Sequence, residues 1–148
     1  MRIGIDFGGV IVKPADGDNP FDAELGLKIE QPNSISTIKT LINSLGAEVW
    51  IISKASKATQ NETRKWLNFV RFYQKTGFSP SNLVFCGKRS EKEGICSNLE
   101  IQYFVDDSKE VLDYMNVVPN LYLFGGLSYG NNITGINDWS AFLEAIKG

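Results

Sequence analysis

Short apolar runs alternate along this chain with helix-patterned stretches, and that alternation leaves few folds open. The runs lie at residues 2–7, Val49 to Ile52, Leu83 to Phe85, Ile101 to Val105 and Leu121 to Phe124. Each has the length of a strand, and each is followed by apolar residues at helical spacing. Ile35, Ile38, Leu41, Ile42 and Leu45 form one stripe, opened by Asn33 or Ser34 as a cap and closed by Gly46. Trp66, Phe69, Val70 and Tyr73 form a second, read as core on one long helix running toward Gly77. Ser90 and Glu93 have capping-box spacing ahead of Ile95, Cys96 and Leu99. Ser108 can cap a helix bearing Val111, Leu112 and Met115, and Trp139, Phe142, Leu143 and Ile146 mark the last helix. Strands alternating with helices predict an α/β, three-layer Rossmann-like fold, with a parallel sheet of about five strands and helices on both faces.

A chain of 148 residues matches a single domain spanning 1–148. Pro14, Gly17, Pro20, Gly26 and Pro32 break any regular pattern between Lys13 and Pro32, so a flap or loop excursion is expected at about 13–33, with no large cap domain. A net charge of -2 leaves no basic footprint for nucleic acid. No run of about 18 apolar residues suits a membrane, and no signal segment precedes the first strand, so the expected location is the cytoplasm. Cys86 and Cys96 lack metal-type spacing and are expected as buried, reduced thiols. Histidine is absent, which excludes Ser-His and Cys-His nucleophiles and His-ligated zinc.

Open parallel sheets bind their ligands beyond the carboxyl ends of the strands. Asp6 stands at the end of the first strand, Ser53 after the second, Lys88 and Arg89 after the third, and Asp106 and Asp107 after the fourth. Carboxylates gathered on one rim suit Mg²⁺, which takes one or two of them together with phosphate oxygens and water. Gly8 and Gly9 let the backbone approach a phosphate closely. The chemistry this implies is phosphoryl transfer on a phosphorylated substrate.

These residues resemble the motifs of the haloacid dehalogenase-like (HAD) hydrolases, most of which are Mg²⁺-dependent phosphatases. The resemblance rests on Asp6 in DFGGV, Ser53 in VWIISKAS, Lys92 in KRSEKEGIC and Asp106-Asp107 in FVDDS, in that order along the chain. It implies that Asp6 is the nucleophile and that Ser53 and Lys92 hold phosphoryl oxygens, with Gly8, Gly9 and Lys54 also against the substrate. It implies that Mg²⁺ is held by Asp6, the Gly8 carbonyl, Asp106 and Asp107. Lys88 is the alternative to Lys92, which has the more typical spacing from the acidic pair. Bland readings stay open beside these: Ser53 capping the next segment, and Lys92 on a helix surface.

One departure from the pattern bears on activity. Where such proteins carry a second aspartate as general acid and base, this chain has Gly8. A positioned acid or base contributes about 10² to 10⁴-fold, or roughly 3 to 5 kcal/mol of barrier. The resemblance therefore implies a phosphatase-like hydrolase weak on ordinary phosphomonoesters, with a long-lived phospho-Asp6. The alternative is a catalytically degenerate protein that binds metal or phosphate as a regulatory module. Asp22 or Glu24 of the excursion is a candidate replacement acid, against the plainer reading of a solvated acidic loop that also holds Asp16 and Asp18. Without a large cap the site is expected to be open, either to macromolecular phosphates or to closure by a second subunit.

Overall fold

The computed structural model describes residues 1–13, 21–22 and 27–148. Six strands make one fully parallel sheet: β1 (Arg2–Ile5), β4 (Glu48–Lys54), β5 (Leu83–Cys86), β6 (Tyr103–Asp106), β7 (Asn120–Phe124) and β8 (Ile133–Ile136), in the order β5-β4-β1-β6-β7-β8. A separate antiparallel pair, β2 (Phe21–Asp22) and β3 (Leu27–Lys28), falls within the expected excursion. Asp16, Asp18 and Glu24, and the side chain of Asp22, lie outside the described residues.

Two apolar clusters cover the two sides of the sheet. Ile3, Ile5, Val49, Ile51 and Val105 face α1 (Ser34–Asn43), α2 (Lys57–Phe69), α3 (Phe72–Thr76) and α6 (Trp139–Lys147) through Ile38, Leu41, Trp66, Phe72 and Phe142. Ile52, Phe104, Leu121 and Leu123 face α4 (Glu91–Asn98) and α5 (Lys109–Asp113) through Cys96, Val111 and Leu112. Alternating side chains feed both layers, as a covered parallel sheet requires. Trp139 is fully buried and donates its indole N–H to the Val10 carbonyl at 2.9 Å, which ties α6 to the segment after β1. Truncating Trp66 or Phe142 to alanine should cost about 3–5 kcal/mol. Cys86 and Cys96 are buried free thiols, as expected. Among the described residues no helix is long and apolar enough to cross a membrane.

Four local expectations are corrected. The sheet has a sixth strand, β8, whose Thr134 and Gly135 interrupt the apolar run that would have announced it. Gly135 is required there, because a Cβ would lie 2.6 Å from the Ser128 backbone nitrogen in the loop crossing above. The long helix toward Gly77 is two helices, α2 and α3, separated at Val70 and Arg71, where Arg71 adopts φ 56°. Within α2 the expected stripe is only partly core: Trp66 is buried while Phe69 is 57% exposed. Ser90 opens α4 without a side-chain cap bond, so the capping box is not formed. Asn33 takes the N-cap place of α1 at φ 66° with no side-chain bond; the Glu30 carboxylate accepts the Ile35 N–H at 3.2 Å instead. Ser108 does cap α5, accepting the Val111 N–H at 3.3 Å.

Candidate active site

β1 and β6 are neighbours, with Ile5 paired to Val105, so the chain delivers Asp6 and Asp106 side by side at one sheet edge. The Asp6 N–H continues the ladder onto the Val105 carbonyl at 3.0 Å. α4 then brings Lys92 between the two carboxylates. Its Nζ lies 3.1 Å from Asp6 Oδ1 and 2.9 Å from Asp106 Oδ2. All three side chains are buried, and Lys92 Nζ also lies 5.8 Å from the centre of the Phe104 ring. Asp106 spends its other oxygen on the Ser108 N–H at 3.0 Å, so both its oxygens are held by the protein. Asp107 is exposed at the next position.

One lysine does not balance three carboxylates. Burial, then the nearby Asp106, push the Asp6 carboxyl up to about 8 despite Lys92. Burial likewise raises Asp107, with Asp106 adding to the effect. Burial alone would lower Lys92, but Asp6 and Asp106 outweigh it and hold the ammonium charged. Such a cluster lacks positive charge. One oxygen from each of Asp6, Asp106 and Asp107 lies within 4.8 Å of the others, so a single divalent ion fits the donor set by distance and by its hard oxygen chemistry. Gly9 shapes the same place: it sits at φ 81°, and a Cβ there would run into the Asp107 carboxylate. Asp107 is thus seated against bare backbone.

A cleft of about 290 Å³ opens over this cluster. Asp6, Gly8, Gly9, Ser53, Lys54, Lys92, Asp106 and Asp107 all line it, so the residues that the resemblance placed against substrate or metal come to one place. Lys88 is not among the lining residues, and Lys92 alone of the two reaches Asp6. Ser53 is buried in β4 and caps nothing; Ser56 caps α2 by accepting the Thr59 N–H. Gly8 is exposed, and a Cβ there would meet no atom within 4 Å. Lys28 and Thr59 line the cleft without having been foreseen. Thr59 was within reach of sequence reasoning, since it stands in the first turn of the helix after β4; Lys28, in the excursion, carried no signal.

Arg89 also lines the cleft and makes a 3.8 Å ion pair with Glu110. Both side chains are more than half exposed, so this pair contributes little to stability.

No established family profile matches the chain. A protein of Oceanobacillus iheyensis provisionally named a nucleotidase is 29% identical over 116 residues, covering 76% of this chain. The match takes in 59% of that relative, so this chain spans about three-fifths of its length. Among solved structures, D,D-heptose 1,7-bisphosphate phosphatase from B. bronchiseptica, crystallised with magnesium and phosphate, superposes with a TM-score of 0.72 at 16% identity, over 99% of this chain and 97% of that one. The cobalt-bound deoxy-D-mannose-octulosonate 8-phosphate phosphatase of Haemophilus influenzae gives 0.59 at 14% identity, over 98% and 85%. At these identities the likeness is one of fold.

Proposed function

We propose that this chain, whose fold is that of the haloacid dehalogenase-like hydrolases, is a divalent-cation-dependent phosphohydrolase in which Asp6 is the nucleophile. The observation that carries this reading is the buried Lys92, shared between Asp6 and Asp106, with Asp107 completing a three-carboxylate cluster at the floor of the cleft. The relative is named for nucleotides and the solved structures for sugar phosphates, and a phosphomonoester is common to them. A small phosphorylated molecule, not nucleic acid or a membrane surface, is the proposed partner.

Asp6, Asp107 and the Gly8 carbonyl would hold Mg²⁺, with Asp106 mainly fixing Lys92. When bound, the ion neutralises Asp6 for attack and draws charge from the phosphoryl oxygens. Lys92 holds Asp6 in place and offers its positive charge to the phosphoryl group, beside the Ser53 hydroxyl and Lys54. Asp6 attacks phosphorus, the bond to the ester oxygen breaks, and that oxygen leaves with the bonding electrons. Gly8 offers no proton to the departing oxygen, so aryl and acyl phosphates, which leave well, should be the better substrates. Water attacking the aspartyl-phosphate lacks a base for the same reason, so phospho-Asp6 should accumulate.

Hydrolysis of an aryl phosphate by wild type and Asp6→Asn, with and without Mg²⁺, tests the reading. Intact mass after acetyl phosphate and rapid quench should show one phosphate adduct, absent in Asp6→Asn. Gly8 itself favours the second reading, a metal- and phosphate-binding module without turnover. Equal rates for wild type and Asp6→Asn would favour that module.

A further inference from the structure

The two edges of the sheet are finished differently. At β8 the chain covers its own edge: the Ile133 carbonyl accepts the Tyr129 N–H at 3.1 Å, and the Gly135 N–H donates to Ser128 Oγ at 2.8 Å. The loop between β7 and β8 thus takes up groups that face away from β7. At β5 the edge is bare. The Cys86 carbonyl accepts the Ala55 N–H at 3.0 Å, which turns Cys86, and by alternation Val84, toward β4. Leu83 and Phe85 therefore present their backbone groups outward. The Leu83 N–H donates to the Pro80 carbonyl within its own turn. The Leu83 carbonyl and both backbone groups of Phe85 have no hydrogen-bond partner outside the ladder among the described residues. Apart from its shortness, the strand carries none of the devices that keep an edge to itself, since Leu83-Val84-Phe85-Cys86 holds no charge and no proline. Leu83, Val84 and Phe85 are each half-buried, with Leu83 at the fringe of one apolar layer and Val84 at the fringe of the other.

We propose that the β5 edge is a contact between two copies of this chain, paired antiparallel across a two-fold axis at Val84 so that their two sheets become continuous. In that register Leu83 of each copy lies opposite Phe85 of the other. The free Phe85 N–H meets the free Leu83 carbonyl, and symmetry repeats the bond, so donors and acceptors match. Leu83 and Phe85 form a cross-strand apolar pair on one face, and the two Val84 side chains meet on the other. The charges favour a second copy in this order. Lys88 and Arg89 follow β5, and the antiparallel register sets them beside the other copy's Pro80 and Ser79; a parallel pairing would set them beside their own counterparts. Arg64 stacks over the Phe85 ring at 5.0 Å as an exposed side chain, so its charge stays in water. Because β8 is covered by its own loop, each copy offers one bare edge and assembly stops at two. A four-residue edge makes a small contact, so the association is weak and concentration-dependent.

Sedimentation equilibrium of the full chain, with concentration raised to about 1 mM, should show the mass rising toward that of two copies and no further. Val84→Lys sets two ammonium groups at the axis and should weaken the association at least about tenfold, with the thermal midpoint measured alongside to show that the fold is kept. Cross-linking tests the register separately. Val84 and its counterpart form a non-hydrogen-bonded pair, with Cα atoms about 4.5 Å apart, within reach of a disulfide. Under mild oxidation Val84→Cys should give a disulfide-linked pair several-fold faster than Leu83→Cys, which faces Phe85, and faster than wild type, whose thiols are buried. One copy at every concentration, or an assembly that grows past two, overturns the inference. So does a dimer that Val84→Lys leaves intact, or one in which Val84→Cys links no faster than Leu83→Cys. If Val84→Lys fails to fold, the cross-linking comparison decides.

Discussion

β1 and β6 end side by side, each in an aspartate, and then part company. After Asp106 the chain stays polar: Asp107 is exposed at the cleft and Ser108 caps the next helix. After Asp6 it turns apolar. Phe7 is buried edge-to-face on Trp66 at 5.6 Å, and the N–H groups of Val10, Ile11 and Val12 all point to the Phe7 carbonyl. Val10, Ile11 and Val12 are fully buried. The β6 end keeps two adjacent carboxylates at the cleft, whereas the β1 end keeps one, Asp6, and gives its loop to the core. Packing does not require glycine at position 8, because Gly8 has an ordinary backbone conformation and open space where a Cβ would go.

The strongest way to break this contrast is to remove the one charge that the β1 end retains. Asp6→Asn should lower aryl phosphate hydrolysis by at least about 10⁴-fold, toward background, as loss of a nucleophile does elsewhere. Initial rates at saturating Mg²⁺ measure it. The complementary change makes the β1 end more like the β6 end. Gly8→Asp should fold unchanged and raise kcat on alkyl phosphates by about 10² to 10⁴-fold, with a smaller gain on aryl phosphates. It should also shorten the life of phospho-Asp6 in intact-mass time courses. An unchanged ratio of alkyl to aryl rates would show that proton transfer is not what the site lacks.

How far each strand end could be read from sequence follows the same division. Asp6, Ser53, Asp106 and Asp107 were legible because each closes a continuous apolar run, and a parallel sheet carries such ends to one edge. Lys92 was legible only through its order relative to the acidic pair; its burial beneath Phe104 and two carboxylates leaves no local trace. β8 was hidden because Thr134 and Gly135 serve a crossing loop more than the apolar layer, and Ser128 Oγ accepts the Gly135 N–H at 2.8 Å. The break between α2 and α3 was hidden for another reason. Arg71 takes a left-handed conformation that no glycine or proline announces. Tertiary packing of Phe72 on Phe78 outweighs the local preference for a continuous helix.

Gly9 joins the two ends, its backbone lying against the Asp107 carboxylate. Gly9→Ala puts a Cβ into the Asp107 carboxylate at a left-handed φ, so Asp107 must move. Mg²⁺ affinity should fall about 10 to 100-fold, the scale of disturbed ligand orientation, while the thermal midpoint drops by several degrees. Asp107→Asn should reproduce the loss of affinity without the loss of stability. If Gly9→Ala bound Mg²⁺ as wild type does, Asp107 would not be the ligand that separates the two ends.

The smallest expected effect is a pH dependence. Asp6 has its carboxyl raised from 3.8 to about 8 in the folded chain, so between those values the native state holds a proton that the unfolded chain has released. Stability contributed by that proton is fully present below about pH 4 and is lost as pH rises through about 8. Without metal, the thermal midpoint should therefore carry a downward slope across this window from Asp6. Asp6→Asn should remove that slope, since an amide does not titrate. Saturating Mg²⁺ should flatten or reverse it, because a cation bound to the ionised carboxylates supplies the charge that Lys92 alone cannot, and it binds more tightly as they deprotonate. The β6 end sharpens the comparison. Asp107 is raised less and lies nearer to solvent, so Asp107→Asn should leave most of the metal-free slope in place and remove most of the response to Mg²⁺. Melting curves at fixed ionic strength, with chelator or with Mg²⁺, separate the two ends: the slope without metal belongs to Asp6, and the lift with metal requires Asp107.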